Sequence, residues 1–115
     1  MVKLRQEDIK TKEVLSWKGI HLFHFTFSAC SMKTRIFMGL KNIDYTGHHI
    51  NLQKKENFSP YFQGITPRSL VPVLVDDGEV HIESNDILKY LDNKFPTLSL
   101  IPVSYTHLRA HETNS

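Results

Sequence analysis

A single cysteine, Cys30, stands in 115 residues. That excludes an internal disulfide and a cysteine-rich zinc site, and it suits a reducing compartment. No apolar run is long enough to cross a bilayer. The first residues lack the apolar core of a signal peptide. No Lys/Arg-rich run occurs, and 14 basic against 12 acidic residues leave a formal net charge of +2. That charge is too small to argue for nucleic acid. Repeats and low-complexity tracts are missing as well. These absences imply a soluble, cytoplasmic protein that binds neither membrane nor nucleic acid and holds no metal. What is present is ordinary for one globular domain with one core: 40% hydrophobic and 23% charged residues.

The stretch from Val71 to Ser84 is the most informative. Val71-Pro72 opens an apolar run, Asp77-Gly78 interrupts it, and a second short run follows. Asp-Gly between two β-rich runs predicts a hairpin. Glu83-Ser84 then opens a helix with Ile87, Leu88 and Leu91 on one face; Phe95 continues it and Pro96 ends it. Upstream, residues 1–18 are polar, with Ile9, Val14, Leu15 and Trp17 scattered among them, and read as a leader of uncertain order. Residues 21–27 read as a strand, apolar on both faces and therefore central in a sheet. Residues 31–40 read as a helix, with Met32, Ile36 and Leu40 spaced by four. A second strand falls within 44–52, and a short helix or turn within 57–63, started by Ser59-Pro60. The order β-α-β-α-β-β-α predicts one parallel pair, an added antiparallel hairpin, and a mixed α/β sheet with flanking helices.

Chemistry gathers at two helix starts. Ser28 to Lys33 joins the first strand to the first helix, and sites in open α/β sheets form at such junctions. Ser28 is a candidate to donate a hydrogen bond to a ligand's sulfur, or simply to cap its helix. Cys30 is a candidate nucleophile, or a small buried hydrophobe. At the second start, Ser84 and the helix N–H groups suit a carboxylate and Glu83 suits an ammonium; the plainer alternative is a cap and a solvated acid. Pro72 cannot donate to a ladder, so it belongs at a strand's start, where the backbone of Val71 is free to pair with a bound peptide. His48 and His49 fall on opposite strand faces and cannot chelate together. His107 and His111 supply too few ligands for zinc.

From about Ile20 to Pro102 these residues resemble the N-terminal, thioredoxin-like domain of cytosolic glutathione transferases, best the zeta class. The resemblance rests on Ser28-x-Cys30-Ser31 with Arg35-Ile36, on Lys41-x-Ile43-Asp44-Tyr45, and on Ile50-Asn51-Leu52. It continues through Pro67, Val71-Pro72-Val73-Leu74, Gly78, Glu83-Ser84, Ile87 and Tyr90-Leu91, and closes with Phe95-Pro96 and Leu100-Ile101-Pro102. It implies a thioredoxin-like fold and a glutathione co-substrate, with no metal. The complete protein would be a homodimer that conjugates or isomerises a small electrophile through the glutathione thiolate. Ser28 would activate the thiol, Val71 would pair with the tripeptide backbone beside a cis Pro72, and Glu83 and Ser84 would hold its γ-glutamyl end. Asn57 lies near a position where the family uses an amide. Three departures matter. Ala29 replaces a second serine. Leu70 stands where Gln or Lys often precedes the Val-Pro pair. The Ala29-Cys30-Ser31 run also resembles the beta class, whose cysteine forms a mixed disulfide. Thiol-disulfide exchange by Cys30, or a non-catalytic interaction module, are therefore the alternatives.

Nothing after Pro102 resembles the second, helical domain of that family, and the tail reads like translated adapter sequence. The expected division is a leader over 1–19, a glutathione-binding domain over 20–102, and a non-native tail over 103–115 that truncates the protein. Without the second domain, glutathione should bind weakly if at all, and an apolar helix face should lie exposed.

Overall fold

The Val73-Leu74-Val75 run, β-branched residues around a leucine, forms an inner strand in which every residue is buried. The computed structural model describes residues 3–96. The expected tail and the Leu100-Ile101-Pro102 end of the motif lie outside them. The elements in chain order are β1 (Ile20–His24), α1 (Ala29–Leu40), β2 (Thr46–His49), α2 (Pro60–Gln63), β3 (Val73–Asp76), β4 (Glu79–Ile82) and α3 (Ser84–Lys94). The sheet order is β2-β1-β3-β4. β1 pairs parallel with β2, as a strand-helix-strand crossover requires, and antiparallel with β3. The hairpin turns at Asp77 and Gly78, both at positive φ (47° and 86°), which is the backbone that Asp-Gly supplies. This is the thioredoxin-like α/β sheet expected from the sequence.

Alternation along β3 builds two cores. Val73 and Val75 face one layer with Phe23, Phe62 and Ile65; Leu74 faces the other with Leu22, Met38, Ile87 and Leu91. Helices α1 and α3 cover the second layer. The first is covered by α2 and, unexpectedly, by the N-terminal segment. Residues 3–18, read as a leader, form two short 3-10 turns (Gln6–Asp8 and Lys12–Ser16). Ile9 and Val14 are completely buried there, and Trp17 packs against the same core. Scattered apolar residues without a period carry no helix or strand signal, so only the docked structure reveals that they are core.

Two local differences have clear causes. β1 ends at His24 rather than at Phe27, because the Phe25 N–H donates to Ser31 Oγ of α1 (3.2 Å) instead of to a neighbouring strand. On α1, the Met32-Ile36-Leu40 stripe points outward, 41–56% exposed, while Ser31, Thr34 and Met38 face the sheet. Polar residues are tolerated inside because their hydroxyls are satisfied: Ser31 accepts from Phe25, and Thr34 Oγ1 donates to the Cys30 carbonyl at 2.9 Å.

His81 on β4 is 2% exposed and packs against Tyr90 with ring centroids 4.0 Å apart and planes tilted by 31°; neither ring nitrogen makes a hydrogen bond, the Glu79 carboxylate standing 3.7 Å from Nε2. Burial holds its pKa below the usual 6.5, against the opposing pull of Glu79 and Asp76. A folded-state pKa below the unfolded one means the unfolded chain binds the proton more tightly. The stabilising contribution is complete above pH 6.5 and is lost as pH falls through the lower folded value. His24 and His48 are lowered in the same direction, chiefly by burial. The melting temperature is therefore expected to fall between pH 7.5 and pH 5, and His81→Phe should flatten that slope. An unchanged slope in the variant would remove His81 from this account.

Candidate functional site

Ser28 is the N-cap of α1: its backbone is extended and its Oγ accepts from the Ser31 N–H at 3.2 Å. Arg35 Nη2 donates to the Thr26 carbonyl at 3.2 Å and so steadies the loop that leads into Ser28. One residue into the helix, Cys30 is exposed. At α3 the N-cap is Glu83, with φ of 74° and ψ of 111°, and its side chain caps nothing. A non-glycine residue at positive φ beside a helix start stores local strain of the kind found at ligand sites. Ser84 is the first helical residue rather than the cap. Lys33 Nζ of α1 donates to Asn85 Oδ1 of α3 at 2.8 Å, which ties the two helix starts together.

Between them lies a cleft of about 110 Å³. Its lining brings together Cys30 of α1, Glu83 and Ser84 at the start of α3, Ile82 at the end of β4, and Thr66, Arg68, Leu70 and the cis Val71–Pro72 bond from the loop before β3. Pro72 stands just ahead of β3, as its missing N–H requires.

Five sequence candidates meet in this cleft: Cys30, Val71, Pro72, Glu83 and Ser84. Ser28 does not line it but stands at the adjoining helix start. Asn57 is not among the lining residues: it is 9% exposed, and its Nδ2 donates to the Ser69 carbonyl at 3.0 Å. It therefore holds the loop that carries Arg68 rather than lining the cleft. Arg68 itself went unnoticed in the sequence, since a lone arginine in Pro67-Arg68-Ser69 belongs to no periodic or motif pattern. Its guanidinium pairs with the Glu83 carboxylate across the cleft. Among the described residues no cluster of three His, Cys, Asp or Glu could hold a metal ion, and no helix is long and apolar enough to cross a membrane.

Residues 22–99 match the family model described as glutathione S-transferase, N-terminal domain. A zeta-class glutathione S-transferase of Euphorbia esula is 40% identical over 83 residues, which are 72% of this chain and 37% of that protein. A probable maleylacetoacetate isomerase of Caenorhabditis elegans is 36% identical over 92 residues, 77% of this chain and 42% of the relative. Among solved structures, a bacterial zeta-class transferase, maleyl pyruvate isomerase in its holo form, superposes with a TM-score of 0.68 at 31% identity. That alignment covers 78% of this chain and 44% of the other. The chain thus spans about two fifths of the length of the curated relatives it matches.

Proposed function

Because this chain belongs to the glutathione S-transferase family through its N-terminal domain, we propose that it supplies the glutathione half of a transferase or isomerase active site. The observation that carries the reading is the meeting of both helix starts and the cis Val71–Pro72 backbone in one cleft. The tripeptide backbone pairs with Val71, the γ-glutamyl ammonium goes to Glu83, and its carboxylate goes to Ser84 and the α3 N–H groups. The thiol points toward the start of α1. There the Ser28 hydroxyl already accepts from Ser31, and its own O–H hydrogen is free to donate to sulfur. A hydrogen bond to the thiolate, together with the positive end of the helix, lowers the thiol's pKa. The thiolate then adds to a small electrophile; where it adds reversibly to a conjugated double bond, rotation and elimination return the isomer. The relatives named as isomerases favour that second outcome. In the full-length protein we expect a second domain to complete the electrophile pocket, a homodimer to form, and the reducing cytoplasm to keep the exposed Cys30 thiol free.

One observation favours thiol-disulfide exchange instead: Cys30, not Ser28, lines the cleft. In that chemistry the Cys30 thiolate attacks a glutathionylated disulfide and expels the substrate thiol. A second glutathione thiolate then releases Cys30 as glutathione disulfide forms. Two variants of the full-length enzyme separate the readings. Ser28→Ala is expected to lower kcat/KM for conjugation about 100-fold, the size of losing one donor to a developing anion, while Cys30→Ala leaves it nearly unchanged. The reverse ranking would favour exchange, and indifference to both would favour a binding module.

A further inference from the structure

Arg68 and Glu83 are the two charged side chains on the cleft, and each is the other's partner. They approach from opposite sides, one from the loop before β3 and one from the start of α3. The arginine's backbone is well held. Thr66 and Ser69 on either side are 1% and 5% exposed, the Ser69 N–H donates to the Thr66 carbonyl at 3.1 Å, and Asn57 anchors the Ser69 carbonyl. The two charged side chains are 50% and 40% exposed. An ion pair so open to water is held weakly, because solvent competes and two long side chains lose freedom. It can therefore be exchanged for ligand groups at little cost.

The terminal amino acid of a γ-glutamyl ligand carries its ammonium and α-carboxylate on one carbon. When the ammonium takes Glu83, the guanidinium beside it loses its partner, and the carboxylate arrives at the same place. The planar fork of arginine matches a carboxylate with two parallel N–H donors. A ligand with the ammonium alone would strand Arg68 beside a second cation. Granted the glutathione-binding function proposed above, we propose that Arg68 is a specificity-determining residue. Its ion pair with Glu83 opens on binding and re-forms through the ligand, with ammonium on Glu83 and α-carboxylate on Arg68 and Ser84.

The test compares glutathione with 4-aminobutyryl-cysteinyl-glycine, which is identical except for the missing α-carboxylate. Both are titrated by NMR into the full-length protein and into its Arg68→Gln and Arg68→Lys variants. Deleting the carboxylate is expected to weaken binding to the unaltered protein by about 10- to 100-fold, the range for a charge-assisted contact. In Arg68→Gln that penalty should shrink at least about fivefold, leaving the share owned by Ser84 and the helix. Arg68→Lys, with charge but no fork, should fall between. Equal penalties in all three proteins would overturn the role of Arg68 and leave glutathione binding standing. No saturable binding of glutathione by the unaltered full-length protein would overturn both.

Discussion

Ile9→Ala is expected to destabilise the chain by about 2–5 kcal/mol, while Ile36→Ala costs less than about 0.5 kcal/mol. The two substitutions remove the same atoms. Ile9 is completely buried between the N-terminal turns and the sheet, whereas Ile36 is 56% exposed on α1. A buried truncation loses transfer energy and leaves a cavity; an exposed one loses little of either. The segment around Ile9 is also bonded in place. The Lys10 and Thr11 N–H groups both donate to the Gly64 carbonyl, at 2.7 and 3.0 Å, and Thr11 Oγ1 donates to the Tyr61 carbonyl at 2.6 Å. Thermal unfolding checks this, with Ile9→Ala lowering the melting temperature by about 10 °C or more. Equal melting temperatures for the two variants would return residues 3–18 to the status of a leader.

Gly78→Ala should be comparably damaging, at about 2–4 kcal/mol, from two separate causes. Its φ is 86°, where any side chain is strained, and a Cβ there would sit 2.2 Å from the Leu15 carbonyl oxygen. The obstacle is backbone, so it cannot rotate away. Gly39→Ala is the control: nothing lies within 4 Å of the new Cβ, and the site is in α1. It should stabilise by about 0.5–1 kcal/mol. Urea denaturation of both variants reads the contrast. A mild effect at Gly78 would mean that the N-terminal segment moves off the hairpin easily, contrary to the role given to Ile9.

The cleft was partly legible before folding. Val71-Pro72, Cys30 and Glu83-Ser84 are local signals, because a proline before a strand and a hydroxyl or acid at a helix start each announce their own backbone setting. Arg68 was not legible, because its meaning depends on Glu83, fifteen positions away, whose carboxylate it meets only after β3 and β4 have paired. Asn57 was legible as a polar residue of interest. Its place outside the cleft lining, with its amide on Ser69, is decided by the path of the loop.

The sequence by itself determined the element order, the Asp77-Gly78 hairpin, the central place of β1 and the family, since alternation, turn chemistry and short motifs are properties of neighbouring residues. Tertiary structure alone decided which apolar residues are core. Met32, Ile36 and Leu40 have a helical period yet face outward, and Ile9 and Val14 have none yet are sealed inside. A period tells that a face exists but not what covers it. Burial depends on the partner surface, and here the partners are a sheet that accepts Ser31 and Thr34 through their hydrogen bonds and an N-terminal segment that closes the opposite side.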